Sequence, residues 1–233
     1  MDNIVATGIK GLDAVLGGGI PAGTCILLLT PPLIESKIFY MEYIYRGILA
    51  NEPGMIVSMD SSPETLKTKA AEYGWDFGEG EKNGLLRWVD GYSLNAKKEA
   101  ESTNTIRRIG GSIALSDLTI GISKIQQEYA PIKPYYRYVF DSLSTLFIYN
   151  DPNTIYRFLR VLISKMRMSG GVGFLTLGEG IHDPSVEMTL RYMVDGTIHL
   201  DDHLRLNVLN LPTPSSAKSA NLVLTKGGFC VDQ

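Results

Sequence analysis

The most constraining feature of this sequence is a regular alternation of short apolar runs with longer amphipathic segments. The apolar runs cover residues 25–29, 55–59, 85–89, 136–140 and 172–177. After the first run, apolar side chains recur at helical spacing as far as about residue 50. Strands that are apolar along their whole length and alternate with helices are typical of a parallel sheet that is buried on both faces. The alternation therefore predicts an α/β fold.

The C-terminal part of the chain follows a different period. Short segments with strand-like patterns occur there at residues 197–200, 204–209, 221–224 and 229–231. Such segments, separated by turn residues, are typical of antiparallel hairpins. We therefore expect a three-layer fold: a mostly parallel twisted sheet with helices on both faces and a C-terminal antiparallel extension. A length of 233 residues suits one large domain, so residues 1–233 are interpreted as a single domain.

The composition argues against several classes of protein. With 44% hydrophobic and 20% charged residues, the chain has an ordinary globular composition. No apolar run approaches the roughly 18 residues that a membrane span requires, so we expect no membrane insertion. The first residues lack the basic and then apolar layout of a secretory signal, which favours a cytoplasmic location. A net charge of −3 provides no electrostatic footprint for nucleic acid.

Metal binding and nucleophilic hydrolysis find no support in the residue spacing. Cys25 and Cys230 match no metal-binding spacing and are interpreted as buried thiols. His199 and His203 flank an acidic pair in a predicted hairpin, where their offset does not bring the two rings together. Ser142 lacks the G-x-S-x-G context of a hydrolase nucleophile. We therefore expect no metal ion and no cofactor.

Five segments of the chain resemble, in the same order, the RecA superfamily, and specifically its KaiC and RadA branch. They lie at residues 7–23 (TGIKGLDAVLGGGIPAG), 58–76 (SMDSSPE with YGWD), 139–144 (VFDSLS), 192–198 (YMVDGTI) and 225–229 (TKGGF). Together they span nearly the whole length. The resemblance implies a RecA-like fold. In its usual form it also implies ATP hydrolysis within a hexameric ring.

ATPases of this kind bind phosphate with a loop of the form G-x-x-x-x-G-K-[ST], which corresponds here to residues 30–37. Those residues are Thr30, Pro31, Pro32, Leu33, Ile34, Glu35, Ser36 and Lys37. Laid on the motif, Thr30 and Glu35 replace the two glycines. Ser36 replaces the lysine, and Lys37 replaces the Mg²⁺-binding hydroxyl. The stretch is therefore interpreted as a degenerate phosphate loop or as the wall of a partner-binding pocket.

The chemistry of these side chains also disfavours phosphate binding. Pro31 and Pro32 have no N–H to donate, and Leu33 does not readily adopt positive φ. A Glu35 carboxylate about 4 Å from a phosphate charge costs roughly 1 kcal/mol in water and about 4 kcal/mol at an effective dielectric near 20. The one-residue offset of Lys37 turns its side chain by about 100°, away from the position a phosphate would take.

The resemblance leaves few of the other ATPase residues in place. Where KaiC-like enzymes carry a water-activating carboxylate pair, this chain has Asp60 followed by Ser61. A basic pair on a late strand, which in that branch reaches a neighbouring subunit, corresponds to the uncharged residues 210–212. Asp141, followed by Ser142, remains at the Walker B position. Without a bound triphosphate, Asp141 is interpreted as a helix cap or structural hydrogen bonder, and no residue is assigned a catalytic role.

These observations favour a catalytically inactive RecA/KaiC-like domain that acts as a protein- or peptide-binding regulatory or assembly module. The apolar residues 31–34 either form a lip for a protein or peptide partner or fold inward and fill the vacated pocket. Since nucleotide usually joins the subunits of such rings, we expect a monomer or homodimer rather than a hexamer.

Two alternatives remain open. One is a divergent ATPase that binds nucleotide through Lys37 and Asp141. The other is a nucleic-acid accessory protein that uses Arg107 and Arg108, although the segment at residues 178–184 is acidic and would repel a phosphate backbone.

Overall fold

The computed structural model describes residues 3–31, 34–96, 101–110, 115–213 and 219–232. The strands are β1 (Ile4–Val5), β2 (Ile20–Pro21), β3 (Cys25–Thr30), β4 (Gly54–Ser58), β5 (Leu86–Asp90), β6 (Ile106–Arg108), β7 (Tyr136–Asp141), β8 (Gly171–Gly178), β9 (Gly196–Leu200), β10 (Arg205–Asn210), β11 (Ser219–Thr225) and β12 (Gly228–Val231). The helices are α1 (Leu12–Val15), α2 (Ile34–Leu49), α3 (Pro63–Ala71), α4 (Phe77–Lys82), α5 (Ser93–Ala96), α6 (Leu115–Tyr129), α7 (Leu143–Tyr149), α8 (Pro152–Met168) and α9 (Pro184–Met193).

The main sheet has the strand order β12-β11-β10-β9-β3-β8-β7-β4-β5-β6. From β9 to β6 all neighbours are parallel, whereas β9 to β12 form an antiparallel meander. Strands β1 and β2 form a separate antiparallel pair. This topology confirms the predicted α/β fold with its parallel sheet and C-terminal antiparallel extension. It also brings the carboxyl ends of β3, β7 and β8 to one edge.

Two apolar cores lie on opposite faces of the sheet, as the three-layer prediction requires. Along β3, Ile26 and Leu28 join one core, which includes the buried side of α2. Leu27 and Leu29 join the other core, which includes the buried sides of α6, α7, α8 and α9. Because consecutive strand residues point to opposite faces, a strand covered on both sides must be apolar throughout. This explains the unbroken apolar run at residues 25–29.

Helix starts follow the signals in the sequence. Ser62 caps α3 through a hydrogen bond from the Thr65 N–H to its hydroxyl, and a proline occupies the first turn. Asp151 caps α8 in the same way, with its carboxylate accepting from the Thr154 N–H at 3.0 Å. In the sequence, Ser62 before Pro63 and Asp151 before Pro152 each predict a helix start, and the structure confirms both.

The polar composition of residues 91–112 and the pair Gly110-Gly111 predict a flexible loop, and this prediction is wrong for much of the segment. The segment contains α5 and the edge strand β6, whose residues pair in parallel with Trp88, Val89 and Asp90 of β5. Ile106 is buried in the core, which anchors this edge strand. A three-residue strand is too short to show a period, so the sequence could not reveal it. Residues 97–100 and 111–112 lie outside the described residues.

Arg137 ties the N-terminal segment to the sheet. Its guanidinium pairs with Glu52 at 2.6 Å and donates to the carbonyl oxygens of Ala6, Thr7 and Tyr43. Only 2% of the Arg137 side chain is exposed, so its charge and hydrogen bonds are satisfied almost entirely within the protein. The chain before β2 is thereby held against α2.

Candidate functional site

A cavity of about 260 Å³ opens at the carboxyl edge of the parallel strands. Open α/β sheets bind ligands at this edge. The lining comes from the ends of β3, β7 and β8, from the start of α2 and from the segments that follow the strands. The residues are Thr30, Pro31, Ser36, Lys37, Asp60, Asp141, Ser142, Ser144, Thr176, Leu177, Gly178 and Ile181. We call this cavity the Lys37 pocket.

The ammonium group of Lys37 is held inside the pocket by two oxygen atoms. Its Nζ lies 3.0 Å from Oδ2 of Asp141 and 3.0 Å from Oγ of Ser61. Lys37 is in the first turn of α2, and Asp141 is the last residue of β7, so the contact joins a helix start to a strand end. The one-residue offset in α2 therefore turns the ammonium towards Asp141.

Asp141 is almost fully buried and receives three side-chain donors. Besides Lys37, Tyr40 donates its hydroxyl hydrogen to Oδ2 at 2.7 Å, and Thr176 Oγ1 lies 3.2 Å from Oδ1. Burial raises the pKa of Asp141, while the Lys37 charge opposes this shift and the nearby Asp60 adds to it. The same burial, together with the Asp141 carboxylate, raises the pKa of Tyr40. Asp141 thus accepts hydrogen bonds from three side chains, two on α2 and one on β8.

Asp60 lies across the pocket and is engaged by the start of α7. Its carboxylate accepts hydrogen bonds from Oγ of Ser142, at 2.8 Å, and from the hydroxyl of Thr145. Also in the pocket, the hydroxyl of Ser144 accepts a hydrogen bond from the Gly178 N–H at 2.9 Å. No cation among the described residues lies within ion-pairing distance of Asp60. One acidic group therefore remains without a neutralising partner beside the Lys37–Asp141 pair.

The structure brings most of the candidate residues of the sequence together. Thr30 and Ser36 line the Lys37 pocket with Lys37, and Glu35 lines a small adjoining cavity with Asp201 and Leu204. Pro32, Leu33 and the Ile34 side chain lie outside the described residues. The prediction that the loop is either open or folded inward therefore stays a prediction.

Sequence reasoning missed two residues of the site, Tyr40 and Thr176. Tyr40 lies three residues after Lys37 and thus on the same face of α2. This spacing was a usable signal. Thr176 comes from β8 and reaches Asp141 only because β8 is the neighbour of β7 in the sheet. No local pattern could have identified it.

The residues considered for other functions are engaged elsewhere. Arg107 pairs with Glu128 at 2.5 Å, and Arg108 pairs with Glu64 at 2.5 Å, so both proposed nucleic-acid contacts are ion-paired. His199 lies 2.9 Å from Glu179. Within the described residues, no three histidine, cysteine or carboxylate side chains group as a metal site would require. In the same part of the chain, no helix combines the length and apolarity needed to cross a membrane.

A family model described as "ATPase: KaiC" matches residues 5–210. Among curated proteins, a UPF0273 protein of Pyrococcus furiosus is 33% identical over 202 residues, which are 84% of this chain and 77% of that protein. A UPF0273 protein of Methanopyrus kandleri is 31% identical over 205 residues, covering 84% and 76% of the two chains. Among solved structures, a KaiC-like protein of Pyrococcus horikoshii superposes over the full length of both chains with a TM-score of 0.78 at 22% identity. That likeness bears on the fold alone.

Proposed function

This chain belongs to the KaiC family of ATPases, and we propose that it is a member without ATPase activity that serves as a protein- or peptide-binding regulatory or assembly module. The observation that carries the proposal is the contact between Lys37 and Asp141. In this contact, the ammonium group of Lys37 provides the positive charge beside the Asp141 carboxylate at the end of β7.

The residues of the Lys37 pocket do not fit the Mg²⁺ ion that the family implies. Mg²⁺ requires close, nearly octahedral oxygen ligands. Here Oδ2 of Asp141 already accepts from Lys37 and Tyr40, and Lys37 replaces the hydroxyl that the resemblance assigns to the metal. An ammonium at this point also repels a dication. We therefore derive no phosphoryl-transfer step for this site.

The charges around the pocket also oppose a polyphosphate. The Lys37 ammonium is balanced by Asp141, which leaves Asp60 in the pocket and Glu35 beside it as acidic groups. Neither carboxylate forms an ion pair among the described residues, and both repel a triphosphate. The missing glycines and motif lysine at residues 30–37 act in the same direction.

Exposed apolar side chains on α8 and α9 support the protein-binding part of the proposal. Tyr192 is 89% exposed and Met188 is 73% exposed, one helical turn apart on α9. Val161 and Met168 are exposed on α8. Met188 and Tyr192 lie on the same face of α9, and neighbouring large apolar groups that are exposed favour contact with another protein. A monomer or homodimer remains the assembly that we propose.

Calorimetric titration with MgATP tests the proposal, together with an assay of phosphate release. We expect the wild-type chain to give neither binding heat nor released phosphate. The matched control is the triple variant Glu35→Gly, Ser36→Lys and Lys37→Thr, which restores the motif residues at these positions and should gain MgATP binding.

The divergent-ATPase alternative makes the opposite prediction. Micromolar MgATP binding by the wild type, lost in both Lys37→Ala and Asp141→Asn, would overturn the proposal in favour of that alternative.

A further inference from the structure

Another cavity, of about 400 Å³, lies between α8 and α9 and shares no lining residue with the Lys37 pocket. Its walls combine guanidinium, phenol and thioether groups with two small polar side chains. The lining residues are Asn153, Tyr156, Arg157 and Arg160 from α8, and Thr189, Tyr192 and Met193 from α9. We call it the arginine–tyrosine cavity.

Arg157 and Arg160 bring two uncompensated positive charges to this cavity. They lie three residues apart on one face of α8 and are both exposed. Neither guanidinium has a carboxylate within ion-pairing distance in the part of the chain that the structure describes. Arg157 Nε donates only to the carbonyl oxygen of Asn153, in its own helix.

Most other arginines of the chain are ion-paired, which sets these two apart. The paired ones are Arg46, Arg87, Arg107, Arg108, Arg137, Arg167 and Arg191. Two adjacent exposed guanidiniums that form no ion pair among the described residues are suited to bind carboxylates through charge-assisted hydrogen bonds.

An aromatic and apolar wall stands opposite the two arginines. Tyr192 lines the cavity and is the most exposed large apolar side chain of the described residues. Met188 extends this surface by one turn of α9. Tyr156 also lines the cavity, and its ring packs on Phe147 at 5.7 Å between centroids. Exposed tyrosine and methionine side chains beside arginine are typical of the anchoring part of a protein interface.

We propose that the arginine–tyrosine cavity docks an acidic peptide segment of a protein partner, with two carboxylates on Arg157 and Arg160 and an apolar side chain on Tyr192. This inference rests on the proposed binding function and names the chemistry of its partner. Charge complementarity selects the carboxylates, and the exposed phenol ring selects the apolar residue beside them.

An extended nucleic acid fits this surface less well than a peptide. Asp151 caps the start of α8 and Asp183 caps the start of α9, so Arg157 and Arg160 are not part of a longer run of positive charge at these helix starts. Nucleic-acid affinity depends on many cations that follow the phosphate backbone. Two guanidiniums one helical turn apart match a compact pair of carboxylates instead.

Fluorescence anisotropy with the full chain tests the docking site. The probe is a fluorescein-labelled peptide of glutamate and leucine, compared with a peptide of lysine and leucine and with labelled oligothymidylate. We expect the wild type to bind the glutamate–leucine peptide in preference to both others. The double variant Arg157→Glu/Arg160→Glu should bind it more than tenfold more weakly, and Tyr192→Ala should weaken binding several-fold.

The charge-matched control is Lys82→Glu/Lys124→Glu, which makes the same change in net charge at exposed sites on α4 and α6. It should bind the peptide as the wild type does, with circular dichroism verifying the fold of each variant. Equal loss in both double variants, absence of peptide binding by the wild type, or tighter binding of oligothymidylate would each overturn the inference. None of these results depends on MgATP binding, so failure of the docking site is distinguishable from failure of the proposed loss of ATPase activity.

Discussion

The ammonium of Lys37 and the carboxylate of Asp141 form an ion pair, 3.0 Å between Nζ and Oδ2, that joins the start of α2 to the end of β7. The Asp141 side chain is 7% exposed and the Lys37 side chain 21% exposed. The two partners therefore differ in how far they are buried. Loss of Lys37 leaves a buried carboxylate, whereas loss of the Asp141 charge leaves an ammonium that still reaches water.

A double-mutant cycle should reveal this asymmetry. We expect Lys37→Met to lower the free energy of unfolding by about 2–3 kcal/mol, because the Asp141 carboxylate then stays buried with only Tyr40 and Thr176 as donors. Asp141→Asn should cost about 1 kcal/mol, and the double variant should cost less than the two single changes added together. Urea unfolding measures all four proteins. Strict additivity would mean that the pair contributes no coupling energy.

The same pair predicts how the chain responds to Mg²⁺. In the wild type we expect no change of melting temperature on adding Mg²⁺, since Lys37 occupies Oδ2 of Asp141. Lys37→Ser removes the ammonium and supplies a hydroxyl, so Mg²⁺ at ten times its dissociation constant should stabilise this variant by about 1.4 kcal/mol. The control is Lys37→Ser/Asp141→Asn, which should show no response. A Mg²⁺-dependent shift in the wild type would contradict this explanation.

The features of the fold that the sequence predicted are those with strong local causes. The buried strand at residues 25–29 and the capped start of α8 at Asp151 follow from apolar runs and cap residues, which act over a few positions. No pattern in the sequence predicted the strand β6 or the short helix α7. Ile106 becomes a core residue only because β5 lies beside it, and this is a tertiary contact without a local signal.

The candidate residues of the site could be named from the sequence, but their arrangement could not. Lys37 and Asp141 were both identified, and the alternative that they handle nucleotide together already placed them at one site. Their direct contact depends on the position of α2 over the end of β7, and the donor from Thr176 depends on the strand order. Sequence spacing fixes neither of these, because both result from packing between segments far apart in the chain.

Glu42 should make the protein less stable as the pH rises. Burial raises the pKa of Glu42 above its ordinary value of 4.5, against the opposing effects of the Phe229 N–H and Arg46. The folded state therefore binds more protons than the unfolded state between pH 4.5 and the raised pKa, so the free energy of unfolding falls across that window. Burial raises the pKa of Asp141 as well, and its contribution has the same sign.

Unfolding measured as a function of pH separates these contributions. Glu42→Gln should flatten the decline above pH 4.5 and leave the part due to Asp141. The control is Glu64→Gln, since the pKa of Glu64 is lowered: against the opposing effect of burial, its own backbone N–H and Arg108 favour the carboxylate. Glu64 stabilises the fold above its ordinary pKa and loses this effect only as the pH falls. Its removal should leave the slope above pH 4.5 unchanged, and an equal effect of both variants would argue against burial of Glu42 as the cause.

Arg137 should be far more important for stability than an exposed arginine in a similar pair. Arg137→Met leaves Glu52 without its ion-pair partner and removes the donor to the carbonyl oxygens of Ala6 and Thr7 in a buried site, so we expect a loss of about 3–5 kcal/mol. Arg137→Lys keeps the charge but not the planar set of donors and should also be strongly destabilising. The matched control is Arg107→Met, because the Arg107 pair with Glu128 is about one-third exposed on both sides and should contribute less than about 1 kcal/mol. Thermal and urea unfolding of the three variants measure the difference, and similar losses for Arg137→Met and Arg107→Met would show that the buried network does not anchor the N-terminal segment.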